Sequence, residues 1–141
     1  MNKEPRRRQD VPQEDRWNIE ALYPNDAAWE ADFARAQSLP AQVEAYSGRL
    51  AESPETLAAA IRALLDAYRH IEKVYVYAHL RNDEDLGNST YQSMFDRART
   101  AYIQLSTAAS YFSPELLAID DATMAEWLGT DLIDPYRVWL S

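Results

Sequence analysis

The sequence predicts an all-α protein, an elongated antiparallel helical hairpin or three-helix bundle with short terminal helices. Apolar residues recur at spacings of three and four in long stripes, the spacing that keeps side chains on one helical face. Glycine is scarce, 3 in 141 residues, while hydrophobic (47%) and charged (26%) fractions are those of an ordinary globular chain. Short polar residues followed by proline stand where helices should begin.

The first stripe is Trp29, Phe33, Ala36, Leu39, Val43, Tyr46, Leu50. Asn25 suits its N-cap, since a short side-chain oxygen accepts from the free N–H groups of a first turn, and Asp26 suits the dipole. Pro40 falls inside the stripe while the phase continues past it, which predicts a kink or a short break and a second helix, with Gly48 near its end.

Ser53-Pro54 opens the longest helix, whose stripe Leu57, Ile61, Leu64, Tyr68, Ile71, Tyr75, Ala78 holds its phase throughout. Val74-Tyr75-Val76-Tyr77 alone could pass for a buried strand, but no turn residue separates it from Ile71, so it stays helical. From Pro54 to about Asp85 such a helix is roughly 48 Å long. Gly87 predicts its stop, and Asn88 the cap of a third helix with stripe Tyr91, Phe95, Ala98, Tyr102, Leu105, Ala109, Phe112. Ser113-Pro114 predicts another start, with a short helix through Leu116 and Ile119. A further one runs through Met124, Trp127 and Leu128 to Gly129, and a last start stands at Asp134-Pro135. That last helix has barely two turns, too few to be stable alone. It therefore suggests a cut between domains, and self-association in which a second copy covers Tyr136, Trp139 and the Tyr75-Val76-Tyr77 region. Residues 1–16 read as a polar, flexible arm and 17–141 as one helical domain.

The formal net charge of -9 argues against nucleic acid as a partner, because phosphate binding needs clustered Lys and Arg. The one basic cluster, Arg6-Arg7-Arg8, is offset by Glu4, Asp10, Glu14 and Asp15. No membrane span is long enough to be expected. The absence of cysteine and of an export signal predicts a cytoplasmic protein with neither a disulfide nor a thiolate nucleophile.

His70 and His79, nine positions apart on one predicted helix, differ by about 900° of rotation and so face opposite ways. They cannot chelate one ion together and read as surface or boundary histidines. The run Asp83 to Asn88 fails as a calcium loop, because Gly87 comes a position early and Met94 stands where the bidentate glutamate belongs. Tyr68, Tyr75, Tyr91 and Tyr102 read as core, and Arg62, Asp66, Arg69 and Lys73 as a solvated charged face. No residue is assigned a catalytic, cofactor-binding or metal-binding role.

Four stretches carry a family resemblance. Trp17-Asn18-Ile19-Glu20-Ala21-Leu22-Tyr23, with Trp29 six positions on, resembles the "W-x-L-x-x-L-Y-x-x-x-x-x-W" opening of oligoendopeptidase F proteins. Val74-Tyr75-Val76-Tyr77-Ala78-His79-Leu80-Arg81, then Asp85, Asn88 and Tyr91-Gln92, is similar to that family's "lYvYAhLr…eDt.n..yq". Ser110 to Leu117 resembles "sFfxPELL", and Pro135-Tyr136-Arg137 resembles "pYrxyL". The resemblance implies the N-terminal helical domain of a zinc metalloendopeptidase that hydrolyses short peptides, helping to wall its substrate channel. The zinc ion and H-E-x-x-H would lie in a catalytic domain outside this chain, and the segment alone would be inactive. The other reading is a stand-alone helical adaptor or dimerisation module without catalysis.

Overall fold

The computed structural model describes residues 21–130. Among these residues six helices follow one another: α1 (Asp26–Ala36), α2 (Leu39–Glu44), α3 (Pro54–Glu84), α4 (Ser89–Ala108), α5 (Phe112–Leu117) and α6 (Asp121–Leu128). Among the described residues there is no strand, so the all-α expectation holds and Val74 to Tyr77 are helical. The expected arm at 1–16 and the start at Asp134-Pro135 lie outside the described residues.

The helix ends follow local chemistry. Asn25 Oδ1 accepts from the Ala28 amide at 2.8 Å, and Ser53 Oγ from the Thr56 amide at 3.1 Å. Asn88 Oδ1 accepts from Thr90 at 2.9 Å and Tyr91 at 3.3 Å, which starts α4. Pro40 occupies the first turn of α2, where a missing N–H costs nothing, so the interruption expected there is a break at Gln37 and Ser38. Gly48, with φ at 80°, supplies the left-handed residue of the turn after α2.

The start expected at Ser113-Pro114 needs correction. Helix α5 begins at Phe112, its N-cap position is Tyr111 without a side-chain bond, and Ser113 and Pro114 lie inside the first turn. The turn is fixed instead by the burial of Phe112 and by a bond from the Glu115 amide to the Tyr111 carbonyl at 3.0 Å. Ile119 is buried beyond the end of the helix, at Leu117.

The buried lines of α3 and α4 also lie beside the stripes read from sequence. On α3 the fully covered positions include Ala60, Ala67, Val74 and Tyr77 along with Leu57, Leu64, Ile71 and Ala78, whereas Tyr68 and Tyr75 are half-buried. On α4 they are Met94, Ala98, Ala101 and Leu105, with Tyr91, Phe95 and Tyr102 half-buried. Small residues take the centre of the seam, where helices approach closely. The tyrosines flank it, covering apolar surface with the ring and leaving the hydroxyl near water. Arg62, Asp66, Arg69 and Lys73 are exposed, as the charged-face reading expects.

The described residues form two compact units, one of residues 21–37 and 69–104, the other of 38–68 and 105–130. In the first, α1 meets α3 and α4. Trp29, fully buried, donates its indole N–H to the Val74 carbonyl at 2.9 Å, and Tyr75 lies against Phe95 and Tyr102 at ring distances of 5.5 and 5.8 Å. In the second, Leu39, Val43, Leu50, Leu57, Ile61, Leu64, Phe112, Ile119 and Trp127 are buried.

Candidate functional site

The polar chemistry of the first unit gathers around α1. Asp32 falls three positions after Trp29 and four before Ala36, an acid standing in an apolar stripe. It is only 9% exposed, and its carboxylate is nevertheless fully engaged. The Tyr23 hydroxyl donates to Oδ2, while Oδ1 meets His70 Nε2 at 2.8 Å and accepts from Arg35 at 3.1 and 3.2 Å. Burial would push Asp32 up, but the bonds from Tyr23, His70 and Arg35 outweigh it and hold the carboxyl below the ordinary range. Burial and the same carboxylate push the Tyr23 hydroxyl well above its usual value, so it keeps its proton. Lys73 lies over the Tyr23 ring at 4.5 Å. A tyrosine 5% exposed and held protonated offers no nucleophile to a substrate. The cluster is a clasp joining the segment before α1 to α1 and α3.

A second cluster sits at the N-terminal turn of α1. Asp26 accepts from Tyr77 Oη at 2.6 Å and from Arg81 at 3.2 and 3.4 Å, and Arg81 also reaches Glu84 at 3.4 Å. Its guanidinium lies 4.7 Å from the centre of the Tyr91 ring. Desolvation would lower Arg81, yet the bond to Asp26 raises it above its usual value, and burial raises Tyr77. The charges are spent on one another.

Between α1 and α4 runs an open groove of about 350 Å³ lined by Phe33, Gln37, Asp96, Arg97, Thr100, Ala101 and Gln104. Arg97 forms a two-pronged pair with Glu30 at 2.6 and 2.9 Å, and its guanidinium stands 5.2 Å from the rings of both Trp29 and Phe33. The hydrogen bond from Arg97 is the main reason Glu30 lies below the ordinary carboxylate range.

In the second unit Glu115 acts on the backbone. Its two oxygens accept from the amides of Gly48 at 2.8 Å and Leu50 at 2.9 Å, pinning the turn between α2 and α3. Beside it Tyr111 donates to the Val43 carbonyl at 2.6 Å.

The histidines point to different neighbours. His70 is committed to Asp32 on α1, whereas His79 lies 3.5 Å from Asp83, with its ring tilted against Phe95 of α4 at 5.3 Å. Among the described residues no three His, Cys, Asp or Glu side chains converge on a point that could hold a metal ion, so they do not fit a zinc site. The expectation of surface or boundary histidines does not foresee that His70 completes the buried network of Asp32. The available signal was the acid inside the α1 stripe, because a buried carboxylate requires partners.

No family model matches the chain. Oligopeptidase PepF of Bacillus subtilis is 34% identical over 121 residues, covering 86% of this chain and 18% of that protein. The plasmid oligoendopeptidase F of Lactococcus lactis subsp. cremoris is 31% identical over 123 residues, covering 86% and 20%. The crystal structure of oligoendopeptidase-F from Enterococcus faecium matches with a TM-score of 0.75 at 31% identity, over 82% of this chain and 23% of that one. This chain spans about a fifth of the length of the curated relatives it matches. With the sequence motifs, the helical fold and these relatives in agreement, the chain is similar to oligoendopeptidase F proteins over about a fifth of their length.

Proposed function

We propose that residues 17–141 are the N-terminal helical domain of a cytoplasmic zinc-dependent oligoendopeptidase and help wall the channel through which short peptides reach its catalytic domain. The observation that carries this is the 34% identity over 121 residues to a protein named as an oligopeptidase, of which the match covers 18%. The polar clusters support a scaffolding role, since the carboxylates of Asp26, Asp32 and Glu115 are spent on internal bonds that stiffen the helices. Zinc, which would polarise the scissile carbonyl, belongs on this reading to the rest of the whole protein, as does the general base.

Replacing the matching segment of the Bacillus subtilis oligopeptidase with residues 17–141 tests the assignment. The chimera should cleave a quenched peptide and stop on addition of a chelator, while the 141-residue chain alone should not cleave. A folded chimera without activity, or chelator-resistant cleavage by this chain alone, would overturn it.

A further inference from the structure

Helix α5 turns its charge inward and leaves an uncharged side outward. Its single ionised side chain, Glu115, accepts from the amides of Gly48 at 2.8 Å and Leu50 at 2.9 Å. The exposed residues between Phe112 and Ala118 are Ser113, Pro114, Leu117 and Ala118. Spacings of one and four place them on one face, and none is charged in a chain whose residues are 26% charged. The bond from the Gly48 amide brings Ser47 and Gly48, also exposed and uncharged, beside this face.

Leu117 is the apolar centre of that surface. It is 84% exposed, the highest figure among the exposed large hydrophobic residues described. Its mount is stiff. Phe112 and Ile119 are buried on either side in sequence, Tyr111 donates to the Val43 carbonyl at 2.6 Å, and the Ala118 amide closes onto the carbonyls of Pro114 and Glu115 at 3.1 and 3.2 Å. A leucine left in water adds almost nothing to the fold, since the unfolded chain exposes it as well. Charges return only beyond the surface, at Arg49 with its partner Glu52 and at Asp120. An apolar anchor within an uncharged centre and a charged margin is the anatomy of an interface.

We propose that the outer face of α5, with Leu117 as its anchor, docks into an apolar pocket on the remaining part of a longer polypeptide, a contact made within one chain. The proposal rests on the reading of residues 17–141 as one domain of a larger peptidase, and two observations choose this occupant. The matches cover 18% and 20% of the curated relatives, which leaves the greater part of such a protein outside the matched segment. The face is also too small for a free dimer, which needs on the order of 1,000 Å² of buried surface, because one leucine and a few small residues supply a fraction of that. Tethering removes the requirement, since a covalently joined partner is present at an effective concentration of about millimolar.

The test compares hydroxyl-radical oxidation of the 141-residue chain with that of the chimera described above. Pro114 and Leu117 should be oxidised at least about fivefold more slowly in the chimera, where the contact excludes water. Leu117→Lys places a cation at the C-terminal end of a helix, where it is tolerated, and should leave the melting temperature of the separate chain unchanged. In the chimera the same change should return Pro114 to the oxidation rate of the separate chain, while Leu117→Met should keep it slow. Equal rates in the two proteins, a lowered melting temperature of the separate Leu117→Lys chain, or slow oxidation of Pro114 undisturbed by Leu117→Lys would each overturn the proposal. Sedimentation showing a dimer of the separate chain that Leu117→Lys dissociates would overturn it too, by making a second copy the occupant. Slow oxidation without peptide cleavage removes only the peptidase assignment, whereas cleavage without slow oxidation removes only the docking face.

Discussion

The Tyr23 hydroxyl donates to the Asp32 carboxylate, tying the segment ahead of α1 to a buried acid that His70 of α3 also grips. Removing the hydroxyl with Tyr23→Phe takes one partner from a carboxylate that stays buried, and should cost about 1–3 kcal/mol in urea unfolding. Asp32→Ala leaves the Tyr23 hydroxyl and His70 without their acceptor and should cost at least as much. The double variant should cost less than the sum, because both single changes break one network.

Asp32 also sets an acid limit. Its folded value lies below the ordinary aspartate value of 3.8, so its contribution is fully present above that value. It is lost as pH falls through the lower folded value, because only then does the native state take up the proton that the unfolded state already holds. Asp32→Asn should flatten the acid limb of a stability profile recorded from neutral pH downwards. An unchanged limb would place the acid sensitivity elsewhere.

Trp29 and Arg97 share a contact but differ in worth. Trp29→Phe loses the bond to the Val74 carbonyl and part of a fully buried ring, and should cost about 2–4 kcal/mol. Glu30→Gln breaks an ion pair whose side chains are 40% and 48% exposed, and should cost about 1 kcal/mol or less, with the difference shrinking in high salt. Thermal melts at two salt concentrations separate the two.

Glu115→Ala should leave the amides of Gly48 and Leu50 without their acceptor and raise their hydrogen-exchange rates, with a loss of about 1–3 kcal/mol. Gly48→Ala should cost about 1 kcal/mol by a separate route, the strain of φ at 80° in a residue with a Cβ. Amide exchange at Leu50 distinguishes them, since only the first change removes its acceptor.

Zinc titration by calorimetry should give no submicromolar one-to-one binding, because His70 and His79 face different helices. Tight binding abolished by His70→Ala or His79→Ala would show that the chain can bring the two together.

The helices were legible because their signals are local. Asn25, Ser53 and Asn88 cap from within a few residues, and the 3-4 stripes of α3 and α4 run long enough to exclude a strand. The line that faces inward was less legible, since Ala67 and Tyr68, or Val74 and Tyr75, are adjacent and both apolar. Only the neighbouring helix decides that the smaller one takes the centre. Ser113-Pro114 misled because proline is as acceptable within a first turn as at its opening. The Asp32 network and the Glu115 clasp join residues as far as 38 and 67 positions apart, and no local pattern encodes such partners.

The bonds from Glu115 to Gly48 and Leu50 bridge 67 and 65 positions of chain, a span that holds the whole of α3 and α4. The entropy of closing so long a loop rises only slowly with its length, so the clasp is affordable in equilibrium terms. In the folded state the bonds meet only because α3 and α4 return the chain to the turn after α2. If the clasp closes after the rate-limiting step of folding, weakening it with Glu115→Ala quickens unfolding and leaves the rate of folding almost unchanged, which stopped-flow kinetics measures. On that outcome a single glutamate sets how long the folded state lasts once formed.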